Sequence, residues 1–162
     1  MKGVSVHVIC VGKLKEKFYI DGAAEYAKRL GGSCKLQITE LPEEKLPQNP
    51  SRAQIDAALE REGAAIRGKL PAGAAVVAMC VEGELLSSEA LTERLARWTA
   101  GGTGALVFVI GSSYGLHPSV KELARLRLSM SPMTFPHHLA RVMLLEQLYR
   151  CFKIEEGSGY HK

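Results

Sequence analysis

Short runs of β-branched and other apolar residues recur along the chain, and longer segments with helical spacing of apolar positions lie between them. The apolar runs span residues 4–12, 34–41, 74–81 and 105–111. Runs of this length and composition predict strands that are buried on both faces. The helical patterns span residues 16–30, 52–70 and 89–99, long enough for crossovers between parallel strands. The alternation predicts an α/β fold: a mostly parallel sheet of about five to six strands covered by helices on both faces.

Two helix starts and one further strand complete the predicted order of elements. Ser51 followed by Gln54 is a capping box, because each side chain can satisfy a backbone N–H of the first turn. Pro118 suits a first helical turn, and Ser119 is predicted to cap that helix. A short strand at 128–131 then leads to a last helix at 138–154.

The length and composition indicate one ordinary domain. We assign residues 1–162 to it, because 46% hydrophobic and 23% charged residues are globular values and no repeat is visible. No run approaches the roughly 18 apolar residues of a membrane helix, and the first residues have strand alternation rather than a cleavable leader. We therefore expect a cytoplasmic protein with no membrane association and with reduced cysteines.

Charge and absent motifs limit the classes of function. A net charge of +4 permits a polyanionic partner such as RNA without demonstrating one. The spaced glycines of dinucleotide sites, the phosphate-binding GxxxxGK[ST] and the GxSxG of serine hydrolases are all missing. The histidines and cysteines lack metal-ligand spacing, so no metal site is expected.

Small or proline-stiffened turns follow three of the predicted strands. They lie around Met79, at Gly111 and in the sequence SMSPMTFP, which begins at Ser129. Ordinary connecting turns would explain each of them singly. Because carboxyl ends of parallel strands share one edge of a sheet, the three could also converge on a single pocket. Such a pocket would be built mainly from backbone groups, which suits recognition of an adenine edge.

One charged residue lies on the apolar stripe of the last helix. At 3.6 residues per turn, Arg141 shares a side with Leu145 and Leu148. A buried guanidinium needs a partner, which a ligand carboxylate, a phosphate or another chain could supply; a side chain that reaches the surface is the alternative. Arg150 follows Glu146 by four residues, so a surface ion pair explains it.

The chain ends in Tyr160 and His161 beyond a Gly-Ser-Gly sequence. A frayed terminus is one interpretation. The other is that these side chains stack on an unpaired base, for which both are suited.

Several motifs together resemble one known family. The segments CVGKLKEKF, EYAKRL, VIGSSYGL, LSMSPMTFPHHLARVMLLEQLYRCFKI and the terminal YHK extend over essentially the whole chain. They are similar to those of the bacterial ribosomal large-subunit pseudouridine N3-methyltransferases, members of the SPOUT class. The long segment and the terminal Tyr-His carry most of the specificity.

The resemblance implies a deep C-terminal trefoil knot, a homodimer and S-adenosyl-L-methionine (SAM) as cofactor. It also implies methylation of N3 of a pseudouridine in a hairpin loop of 23S rRNA, within the assembled 70S ribosome. The cofactor-binding residues implied are Met79, Gly111, Met130, Ser131, Pro132, Met133, Thr134 and Phe135.

Catalytic roles remain open among four residues: Arg141, His161, His137 and Tyr160. Because the methyl group of a sulfonium is already activated, placement of N3 is the main task, and a base or cation would help N3 lose its proton. We expect a site shared between subunits, in which the C-terminal tail or the basic loop GKLKEK (residues 12–17) of one helps to hold RNA for the other. Family members commonly have two glycines where this chain has Gly111 and Ser112.

The alternative function is a non-catalytic cofactor-sensing or ribosome-binding module of the same fold.

Overall fold

Five strands and five helices alternate along the chain in the order that the sequence predicts. The computed structural model describes all residues from Met1 to Lys162. The elements are β1 (Ser5–Val11), α1 (Lys17–Gly31), β2 (Lys35–Leu41), α2 (Arg52–Arg67), β3 (Ala75–Leu85), α3 (Ser88–Ala100), β4 (Ala105–Ile110), α4 (Pro118–Leu123), β5 (Leu126–Ser129) and α5 (His137–Glu155).

The strands form one parallel sheet in the order β2-β1-β4-β3-β5. The central strand β4 is buried along nearly its whole length, as its apolar sequence ALVFVI predicts. Both faces of the sheet are covered: α1, α3 and α5 pack on one, and α2 and α4 on the other. The predicted α/β architecture is confirmed, whereas the trefoil knot stays a prediction.

Strand β3 extends beyond the end of its neighbour β4 and bends beside β5. Its register with β5 shifts between Met79 and Glu84. At Gly83 the two backbones approach so closely that a β-carbon would lie 2.7 Å from the carbonyl carbon of Arg127. A side chain there would force the strands apart. The close approach sets the carboxyl ends of β3 and β5 side by side.

The predicted capping box is confirmed, but the predicted cap of α4 is wrong. Gln54 N–H donates to Ser51 Oγ over 3.1 Å, and Ser51 N–H donates to Gln54 Oε1 over 2.8 Å. For α4 the N-cap is His117, whose ring nitrogen accepts from the Ser119 N–H. Pro118 explains the difference, because proline holds the preceding residue in an extended conformation and itself fits the first helical position.

Helix α5 lies against both α1 and α3. The stripe predicted from its sequence is buried, and Arg141 lies within it with only 4% of its surface exposed. Leu139, Val142, Met143 and Tyr149 remain half-buried in the single chain. None of the helices combines the length and the apolar character that crossing a bilayer requires.

Candidate active site

A cavity of about 630 Å³ opens at the carboxyl edge of the sheet. Residues 79–82 of β3 and the segments that follow β4 and β5 line it together with the start of α5. All the predicted cofactor residues except Pro132 are among its lining residues, which include Met79, Gly111, Met130, Ser131, Met133, Thr134 and Phe135. The three segments singled out in the sequence therefore come together in space, but the turn predicted around Met79 is wrong, because β3 continues as a strand to Leu85. The volume is in the usual range of small-molecule sites, about 300–1,000 Å³.

The turn after β4 accepts only glycine at its first position. A β-carbon on Gly111 would lie 2.6 Å from the carbonyl carbon of Gly115 and closer still to its oxygen. Gly115 N–H donates to the Ser112 carbonyl over 2.8 Å, and Gly115 itself has a φ of +87°. The backbone thus folds back on itself at the cavity wall without intervening side chains.

Hydroxyl groups hold the loop that follows β5. Ser129 Oγ donates to the Ser131 carbonyl over 3.0 Å, and Met133 N–H donates to Ser131 Oγ over 3.0 Å. Pro132 and Pro136 have no N–H and restrict the backbone. These local bonds shape the loop while Met133 stays 73% exposed at the cavity.

His137 presents a free ring nitrogen beside the cavity. Its Nε2 is buried and has no hydrogen-bond partner, although the residue lines the cavity. Burial lowers the pKa of His137, and the charges of His138 and Arg141 lower it further, against an opposite effect of Glu43. The imidazole is therefore neutral near pH 7, and one of its nitrogens is available to accept a proton.

Arg141 finds its partners within its own chain. Its Nη1 donates to Glu40 Oε2 over 2.6 Å, and its Nη2 donates to the Gly12 carbonyl over 3.0 Å. The alternative that this side chain reaches the surface is wrong, because the guanidinium is buried and hydrogen-bonded to Glu40 near the end of β2 and to Gly12 just after β1. Arg141 does not line the cavity. It fixes the first turn of α5, four residues after His137.

The ion pair of Glu40 predicts a pH dependence of stability. Burial alone would raise the pKa of Glu40, but hydrogen bonding and the charge of Arg141 outweigh it, so the pKa lies below its usual 4.5. The folded state then binds this proton less tightly than the unfolded state. The contribution of the pair is fully present above about pH 4.5 and is lost as the pH falls through the folded pKa.

Thermal melts of wild type and Glu40→Gln between pH 7 and pH 3 test this prediction. The difference between their melting temperatures should be widest near neutrality and should shrink below about pH 4. A difference that stays constant over the whole range would contradict it.

The C-terminal tail is docked on its own chain. Tyr160 Oη donates to Glu146 Oε1 over 3.1 Å, and its ring packs on Tyr149 with centroids 4.9 Å apart. His161 Nε2 lies 2.6 Å from Glu89 Oε1 at the start of α3. Arg150 pairs with Glu146 as predicted and also lies over the Tyr160 ring. Neither Tyr160 nor His161 lines the cavity of the same chain.

Sequence reasoning missed one carboxylate at this edge. Glu62 lies on α2 between Ala58 and Ile66, and all three are buried. Its Oε1 accepts from Ser112 Oγ over 2.9 Å, directly behind the turn at Gly111. The signal was available, since Glu62 is a charge on an apolar helical stripe, as Arg141 is.

Comparison with known proteins agrees with this fold. The profile of a family described as "Predicted SPOUT methyltransferase" matches residues 4–161. A probable methylase family protein from Haemophilus influenzae Rd KW20 is similar over 99% of this chain and 71% of its own, with 12% identity and a TM-score of 0.52. A probable methyltransferase from Bordetella pertussis Tohama I is similar over 92% of this chain and 96% of its own, with 15% identity and a TM-score of 0.55.

The two structural likenesses show the fold, and the family match covers nearly the whole chain. The protein is a methyltransferase of the SPOUT class. It belongs to the SPOUT methyltransferase family, as the resemblance of its sequence motifs indicated.

Proposed function

We propose that this protein transfers the methyl group of S-adenosylmethionine to N3 of a pseudouridine in a 23S rRNA hairpin loop on the assembled 70S ribosome. The observation that carries the proposal is the cavity at the carboxyl edge of the sheet, which tight backbone turns line together with His137. The substrate base and the ribosome come from the family resemblance.

The cavity residues fit the cofactor. The turn at Gly111 presents backbone at the cavity wall and is too tight for a β-carbon, and the Ser112 hydroxyl donates to Glu62. The hydroxyl at the position where relatives commonly have glycine is thereby held on the α2 side. Met79, Met130 and Phe135 supply apolar and sulfur-containing surface suited to an adenine ring.

When bound, S-adenosylmethionine supplies an electrophilic methyl group on a positively charged sulfur. Transfer of that methyl group to N3 would require the N3 proton to leave. We assign His137 as the acceptor of this proton, because it lines the cavity and its lowered pKa keeps the ring neutral. The residues of this chain thus contribute alignment and a proton acceptor.

Arg141 acts on this site indirectly. Its guanidinium is committed to Glu40 and to the Gly12 carbonyl. It is therefore a positioning residue, which anchors the helical turn that carries His137.

The proposal includes a homodimer. The half-buried Val142 and Met143 of α5, together with Phe18 at 68% exposure on α1, leave apolar surface that one chain does not cover. A second copy would cover it symmetrically. Tyr160 and His161, which do not line the cavity of their own chain, are then available to hold RNA for the other subunit.

Ribosomes that lack the modification provide the test. They are incubated with the protein and methyl-labelled S-adenosylmethionine, and the 23S rRNA is digested to nucleosides. We expect label in N3-methylpseudouridine from intact 70S ribosomes. Cofactor or ribosome binding without label in the rRNA would instead support the non-catalytic module.

A further inference from the structure

Glu62 is a carboxylate buried to 5% exposure that forms no ion pair. Its neighbours on the inner face of α2 are apolar, and Gly63 beside it packs closely on α4. Burial raises the pKa of Glu62, while the N–H of Glu44 and the hydroxyl of Ser112 lower it, and Glu43 and Glu44 raise it again. Burying a carboxylate without a cation is unfavourable, which points to a role for Glu62 other than packing.

The two oxygens of Glu62 connect two different segments. Oε1 accepts from Ser112 Oγ over 2.9 Å, and Oε2 accepts from the Glu44 N–H over 2.9 Å. Ser112 belongs to the turn at Gly111, and Glu44 to the loop after β2. One side chain therefore joins two segments that are far apart in the sequence.

The loop after β2 continues this connection to the other wall of the cavity. A β-carbon on Gly12 would lie 3.5 Å from Glu43 Oε2 and 3.6 Å from His137 Nε2, so these atoms surround Gly12. Arg61 adds an ion pair to Glu44 at 3.2 Å, which fixes the same loop to α2. Hydrogen bonds join Ser112 through Glu62 to loop 42–44, and Glu43 of that loop lies at Gly12, which His137 Nε2 also approaches. Ser112 and His137 both line the cavity.

We propose that Glu62 is a positioning residue of the cofactor site, which holds the turn at Gly111 and loop 42–44 at a fixed separation and so sets the cavity width between Ser112 and His137. The inference rests on the proposed function for the identity of the ligand. The connection between the two segments is a property of the chain alone.

If Glu62 only stabilised the fold, a substitution that keeps its packing would leave cofactor binding unchanged. Methionine has similar length and suits a buried helical position, so Glu62→Met removes the buried charge and keeps the packing. Glutamine can preserve both contacts, since its oxygen can accept from the Glu44 N–H and its amide can donate to Ser112 Oγ. Glu60→Met is the matched control, because Glu60 is exposed on the same helix.

Calorimetric titration with S-adenosylmethionine measures the consequence for the ligand. We expect Glu62→Met to raise the Kd by about tenfold or more, with Glu62→Gln and Glu60→Met within about twofold of wild type. Ser112→Ala should raise the Kd in the wild-type background and add little to Glu62→Met, because the two groups form one contact. Equal affinities for wild type and Glu62→Met, or additive effects of the two substitutions, would overturn the inference.

Hydrogen–deuterium exchange of the ligand-free protein separates this inference from the proposed function. Glu62→Met should increase exchange in both segment 42–44 and segment 111–116, and Glu60→Met in neither. Unchanged exchange in either segment would overturn the positioning role. Increased exchange in both, with no binding of S-adenosylmethionine by wild type, would support the role of Glu62 and reject the proposed cofactor.

Discussion

Gly111→Ala is expected to weaken S-adenosylmethionine binding by about 100-fold, equivalent to about 2.7 kcal/mol. The added carbon would meet the Gly115 backbone at 2.6 Å, and backbone in a tight turn cannot rotate out of the way as a flexible side chain can. The turn must widen, and the hydrogen bond from the Gly115 N–H to the Ser112 carbonyl is then lost. Since the proposed site is built from this backbone, the loss should appear in the Kd measured by calorimetry.

Gly104→Ala is the matched control for this experiment. Gly104 lies just before β4, and a β-carbon there would have no atom within 4 Å. We expect its affinity to equal that of wild type. If Gly111→Ala binds the cofactor as tightly as Gly104→Ala, the turn after β4 is not part of the binding site.

Arg141→Ala should lower the free energy of unfolding by about 2–3 kcal/mol. The substitution leaves the Glu40 carboxylate without its cation and the Gly12 carbonyl without its donor. The loss is smaller than for a fully buried pair, because 34% of the Glu40 side chain remains exposed. Methyl transfer should fall as well, since the first turn of α5 then holds His137 less firmly.

Urea denaturation of Arg141→Ala and of two reference variants checks this effect. Arg52→Ala removes an exposed ion pair with Asp56 and should cost at most about 1 kcal/mol. Arg141→Ala combined with Glu40→Gln should recover part of the lost stability, because no charge is then left unpaired. Stability of Arg141→Ala equal to that of Arg52→Ala would show that the buried pair contributes nothing to the fold.

The sequence predicted the fold because its local signals agreed with the tertiary structure. Runs such as residues 105–111 are too apolar for a half-exposed strand, so they require helices on both faces. The cap of α4 was misassigned for a local reason: Ser119 has the preferred chemistry, but Pro118 had already fixed where the helix begins.

The candidate site was predictable only as far as it consists of turns. Glycine and proline indicate backbone geometry from the local sequence alone. They therefore placed Gly111 and the loop at 130–135 correctly, at the carboxyl edge of the sheet. The partner of Arg141 was not predictable, because Glu40 lies 101 residues earlier and meets it only through the sheet. The docking of Tyr160 on Glu146 depends in the same way on where α5 ends, which no local pattern encodes.

A crystal structure of the protein with bound S-adenosylmethionine would test the account most directly. We predict that the adenosyl group lies in the cavity against the backbone at Gly111 and the loop at 130–135, with the methyl group facing His137. Adenosyl density at another part of the surface, with this cavity empty, would contradict it.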